Sequence, residues 1–164
     1  MKQDSCATQF APAERATPEA IRVQHERLAA DPRVGTLLDG FPEPAMILNR
    51  ERQIVLANDK LAALLARPSD SLLGLRPGEA FDCIHATDQA GGCGTSTFCR
   101  YCGTANALVN SQRSTQPDEQ ECRLQTTAPS PRDALDLRVW ATPLVLAGES
   151  FTIFAVRDVS DEKR

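Results

Sequence analysis

No stretch of this chain of 164 residues is apolar for long enough to cross a bilayer, and no long basic run is present to hold a polyanion. Lysine and arginine number 18 against 22 aspartates and glutamates, a formal charge of −4. Nucleic acid and an anionic membrane surface are therefore not expected as partners. The opening residues MKQDSCATQFAPAERATPEA lack the charged-then-apolar order of a secretory signal, so the expected location is the cytoplasm. No internal repeat is present, and no kinase motif, so this chain by itself is not expected to phosphorylate anything. Histidine is scarce: there are only His25 and His85. His25, beside Gln24 and Glu26, reads as solvent-facing.

What the chain does have is cysteine in one place. Four of its six cysteines, Cys83, Cys93, Cys99 and Cys102, fall in the run FDCIHATDQAGGCGTSTFCRYCG with spacing C-x9-C-x5-C-x2-C. In a reducing cytosol such a cluster points to metal binding or redox chemistry rather than to a disulfide framework. Gly91, Gly92, Gly94 and Gly103 flank the thiols, where a chain wrapping a small inorganic centre needs positive φ and close approach.

Three chemistries fit. An iron–sulfur cluster on Cys83, Cys93, Cys99 and Cys102 uses four soft thiolates, and its redox or oxygen lability would supply a signal. Zinc on the same four, or with His85 in place of one, would hold together a loop that has no core of its own. A metal-free switch would close Cys99 and Cys102 into a reversible disulfide. The cluster ranks first and zinc close behind. His85 reads first as a hydrogen-bonding support to the site, and Cys6 and Cys122, apart from the motif, read as non-ligands.

Residues 1–16, rich in alanine, proline and polar groups, are expected to form a disordered tail. Thr17-Pro18-Glu19 predicts a helix start with an N-cap, a proline at the first position and an acid in the first turn. Residues 17–39 then form flanking helices, broken near Asp31-Pro32. Ile21 and Leu28 stand seven residues apart on one face and suggest a homodimer contact through this leader.

From Pro44 the period changes. Residues 44–48 and 54–57 predict two short strands, and Asn58 or Asp59 caps a helix bearing Leu61, Leu64 and Leu65. A further helix begins near Ala105. Residues 121–125, 135–142 and 151–156 predict three strands, the middle one alternating with period two. Trp140, opposite Val139, reads as a packing or dimer-contact residue. Strands, helices, then strands again indicate an α+β domain with its helices against one face of an antiparallel sheet.

The order of these pieces resembles a sensory PAS domain. Gly40-Phe41-Pro42-Glu43-Pro44-Ala45-Met46 opens the first strand as in that family. Ile54-Val55-Leu56-Ala57-Asn58 with its Leu-rich helix is similar to the family's second strand and first helix. Phe154-Ala155-Val156-Arg157-Asp158-Val159-Ser160 resembles its last strand and exit motif. The cysteine segment resembles a subgroup with Cys-x-His, Gly-Cys-Gly and Cys-x-x-Cys, found at the front of bacterial sensor histidine kinases.

The resemblance implies a five-stranded antiparallel sheet over residues 40–164, with the metal-binding segment 83–102 between helices and sheet. It also implies a bacterial two-component sensor of redox state, oxygen or a small ligand, with a histidine kinase module as partner in cis or in trans. Loss or redox change of the centre would act through the last strand on the exit segment around Asp158. The chain lacks the Asn-Cys-Arg motif of a photoactive flavin domain, and His85 is poorly placed beside Cys83 to be a haem ligand. The alternatives are a zinc-stabilised interaction and dimerisation module, and a thiol–disulfide oxidoreductase using Cys99 and Cys102.

Overall fold

The computed structural model describes residues 7–127 and 134–163. The expectations for Cys6 and for residues 1–6 of the tail fall outside that range. Two helices lead, α1 (Pro18–Ala29) and α2 (Pro32–Asp39). Thr17 caps α1 by accepting from the Ala20 amide, and Asp31 caps α2 by accepting from the Arg33 amide. Next come β1 (Ala45–Leu48), β2 (Ile54–Ala57), α3 (Asp59–Leu65) and a one-turn α4 (Pro77–Ala80). Short 3₁₀ turns occupy Ser69–Leu72, Ile84–Thr87 and Thr97–Tyr101. The chain then runs through α5 (Gly103–Ser114), β3 (Asp118–Gln125), β4 (Ala134–Leu146) and β5 (Glu149–Asp158).

The strands form one antiparallel sheet in the order β2-β1-β5-β4-β3. Every residue of β1 is buried, and the pleat explains why. Alternate side chains point to opposite faces, and both faces are covered. Met46 and Leu48 join a core with Leu61, Leu108, Val139 and Phe154 under the later helices. Ala45 and Ile47 join a second core with Ile21, Leu28, Leu38 and Val55 under α1 and α2.

Asn58 fixes the turn from β2 into α3. Its buried amide accepts from the Ala45 and Leu61 backbone N–H groups, each at 3.0 Å, and donates to the carbonyls of Leu38 and Glu43. One side chain thus joins the leader, β1 and α3.

Three expectations are corrected here. Residues 7–16 are not a loose tail: Ala11 and Ala13 are buried, and the Gln9 and Ala11 amides donate to the carbonyls of Thr95 and Gly94 at 2.9 Å. Low apolar content did not prevent ordering because backbone groups and arginines hold the segment. Ile21 and Leu28, 6% and 2% exposed, are spent on this chain's own sheet, which removes the basis for a dimer seam along that face of α1. His25 is not free in solvent, since its Nδ1 lies 2.8 Å from the Val55 carbonyl and ties α1 to β2.

Candidate functional site

Between α4, the start of α5 and the helix-covered face of the sheet lies a cavity of about 230 Å³. Cys83, Cys93, Cys99 and Cys102 all line it, as does His85. Its floor is apolar, with Phe81, Leu137, Phe154 and Val156. Phe98 and Tyr101, 60% and 86% exposed, stand on its outer side. The five residues singled out by spacing are therefore gathered around one space. They ring it rather than converge: among the described residues, no three His, Cys, Asp or Glu side chains stand close enough to hold a metal ion.

Each thiol is placed by local structure. Cys83 opens the 84–87 turn, and its amide donates to the Gly78 carbonyl at 2.8 Å. Cys93 sits between Gly92 and Gly94, both at positive φ, so the chain reverses around it. The Gly78 amide donates to the Cys93 sulfur at 3.3 Å. A methyl group on Gly78 would lie 2.7 Å from that sulfur, so the close approach requires glycine there. Cys99 is buried in the 97–101 turn, and Cys102 precedes α5. His85 stacks on Phe98 with ring centroids 4.3 Å apart and meets the Asp88 carboxylate at 2.8 Å.

Burial pushes the Cys83 thiol above its ordinary value and the Cys93 thiol up to about 12. Cys102 is raised by its contact with Cys122 and then by burial. Cys122, read from sequence as a bystander, is the neighbour: the two sulfurs are 3.7 Å apart. The Cys122 thiolate is the favoured one of the pair. The Cys102 S–H can donate to it at 3.7 Å, and neighbouring Thr104 and Gly103 add to the lowering of its thiol.

Behind Cys93 the structure places groups that sequence reasoning missed. Arg76 is completely buried, and its Nη1 donates to the Gly91 carbonyl at 2.8 Å. Its Nη2 donates to the Glu14 carbonyl at 2.7 Å and its Nε to that of Glu51 at 2.9 Å. Arg52, also buried, donates to the carbonyls of Pro12 and Cys93. Desolvation lowers both guanidiniums, Arg76 to about 10.

Arg15 pairs with Glu79 and donates to the Gly91 carbonyl. Burial alone would raise the Glu79 carboxyl, but Arg15 and the amides of Arg76 and Cys93 hold it below the usual carboxylate range. Three guanidiniums thus meet one carboxylate here, a surplus of positive charge next to a thiol loop. The Arg76-Pro77-Gly78-Glu79 run did carry a helix-start signal in its proline and acid. Nothing local to Arg52 or Arg76 announces their distant carbonyl partners.

No protein-family model matches the chain, and no curated protein compared with it does. Solved structures do match. The PAS domain of nitrogen regulation protein NR(II) from Vibrio parahaemolyticus superposes with a TM-score of 0.53 at 14% identity, over 76% of this chain and 95% of that one. The PAS domain of BvgS from Bordetella pertussis gives 0.52 at 17%, over 79% and 85%. The fold is that of a PAS domain. A third PAS domain, from Colwellia psychrerythraea, gives 0.55 at 8%, over 79% and 97%. Identities this low show the shared PAS fold and nothing finer. Among the described residues, no helix is long and apolar enough to cross a membrane.

Proposed function

We propose that this chain is a sensory PAS domain of a bacterial two-component protein, cytoplasmic and coupled to a histidine kinase module in cis or in trans. Its responsive element is a metal centre held by Cys83, Cys93, Cys99 and Cys102. The observation that carries the proposal is that all four thiols line one cavity. The thiols line the walls of one cavity instead of meeting at a point, which suits the larger iron–sulfur cluster better than a single zinc, where Zn–S bonds of about 2.3 Å would draw four sulfurs onto one ion. The surplus of guanidinium charge behind Cys93 suits an anionic, thiolate-bound group, because net charge and hydrogen bonding around a cluster set its potential. Such a cluster supplies one-electron chemistry and sensitivity to oxygen.

The chain's own part is to position and shield. Gly78 approaches Cys93 closely enough for its amide to donate to the sulfur. Arg52 and Arg76 fix the carbonyls on either side of Gly92. Phe98 and Tyr101 flank the cavity on the solvent side. Among the solved structures with this fold is a PAS domain from a two-component sensor histidine kinase, which supports the choice of partner. The oxidoreductase reading loses support, because among the described residues the sheet has only antiparallel pairs and no βαβ unit of the kind a Cys-x-x-Cys redox fold requires.

The test is metal and sulfide analysis with a visible spectrum on protein purified without oxygen. Iron with acid-labile sulfide and broad visible absorption is expected, and is expected to be lost on replacing any one of the four cysteines with serine. One zinc in a colourless protein overturns the cluster and leaves a zinc-stabilised interaction module, held by the four thiolates or with His85 in place of one. Absence of any metal overturns the centre altogether.

A further inference from the structure

The sulfur contact of Cys102 is with Cys122, not with its motif partner. Cys122 lies on β3 with 4% exposure, and Cys102 caps the start of α5. Their approach depends on Gly103, where an added Cβ would drive into the Glu121 carbonyl and come within 3.1 Å of the Cys122 Cβ. A side chain at 103 would therefore push α5 away from β3. Neither cysteine is in a disulfide. At 3.7 Å the sulfurs are in contact, and modest side-chain rotations would bring them to the bonding distance of about 2.05 Å.

We propose that Cys102 and Cys122 are a redox pair that closes to a disulfide when hydrogen peroxide enters the cavity. Cys102 lines that cavity and is the sulfur the oxidant reaches; Cys122 lies behind it. As Cys102 hands its proton to the adjacent Cys122 sulfur, its own sulfur attacks the peroxide, the O–O bond breaks, and a sulfenic acid and, with a proton from solvent, one water result. Cys122 then attacks the sulfenic sulfur: the S–S bond forms, the S–O bond breaks, and the hydroxyl leaves as a second water with the Cys122 proton. Two thiols and one peroxide thus yield one disulfide and two waters. Where Cys102 also serves the metal centre, closing the disulfide withdraws a ligand, so oxidation and metal binding exclude each other at this residue. That consequence rests on the four-cysteine reading; the disulfide itself does not.

The full chain, with its metal content measured beforehand, is treated with one equivalent of hydrogen peroxide, alkylated and digested with trypsin without reductant. Cleavage after Arg100, Arg113 and Arg123 puts Cys102 on peptide 101–113 and Cys122 on peptide 114–123. Cys83, Cys93 and Cys99 stay together on 61–100, because Pro68 and Pro77 block the sites before them. The expected product is 101–113 joined to 114–123, released by reductant. A link from 101–113 to 61–100, or full alkylation of both peptides, overturns the proposal. A chain found to hold no metal fails the four-cysteine reading while leaving this product readable. Cys122→Ser is expected to keep the metal content of the natural chain and lose the cross-link; loss of metal in this variant would make Cys122 a ligand and overturn the pair.

Discussion

The Nη1 of Arg76 lies 2.8 Å from the Gly91 carbonyl, and the arginine making this bond has no exposed surface. The same guanidinium satisfies Glu14 and Glu51, at 2.7 Å and 2.9 Å. Replacing it with methionine would leave the Glu14 and Glu51 carbonyls without this donor, while Gly91 keeps Arg15, and each buried unsatisfied group costs about 1–3 kcal/mol. Arg76→Met is therefore expected to lose about 3 kcal/mol or more of unfolding free energy. Arg76→Lys should recover only part of that, because a single ammonium cannot span both segments. Urea midpoints decide the matter, and an unchanged midpoint for Arg76→Met would refute the role.

Glu79 predicts an acid sensitivity. Its folded carboxyl sits below the usual range, held by Arg15 and two amides against the opposing effect of burial. An unfolded glutamate takes up its proton near pH 4.3. Between that value and the folded one, the unfolded state binds more protons, so stability rises with pH. The contribution is complete above about pH 4.3 and is lost as pH falls through the folded value. Glu79→Gln should remove it, so the stability gap between natural chain and variant closes on acidification. A gap that stays constant across this window would count against the ion pair.

Asn58 makes a third case. Alanine there would remove the side-chain partner of two amides and of the Glu43 carbonyl, while the Leu38 carbonyl keeps the Phe41 amide, at an expected cost of about 3 kcal/mol. Aspartate keeps the acceptor and loses the donor, so its thermal midpoint should fall between those of asparagine and alanine. Equal midpoints for all three would show that the four bonds contribute nothing net.

These contrasts explain what was legible in the sequence. The caps at Thr17 and Asn58 act over two or three residues, and period-two alternation marked β4 from Leu135 onward, so the elements and the PAS order could be read. Cysteine spacing pointed to one site, and the four thiols do share one cavity. Contacts made across long separations left no such trace. Arg76 meets Glu14 across 62 positions and Cys102 meets Cys122 across 20. The ordered segment 7–16 escaped notice for the same reason: its composition is that of a tail, but its hydrogen-bond partners include residues as distant as 52, 76, 79, 91, 94, 95 and 100. The leader's apolar stripe was visible, while its target, the second face of this chain's own sheet, was not.

The fork of Arg76 works as a rivet through two plates. One plate is the 91–93 loop beside the cavity, and the other is the strip 12–14 that leads directly into α1. Neither plate can slide without bending the rivet or dragging the other, so strain applied at the thiols has a mechanical path to the foot of α1 that bypasses the sheet.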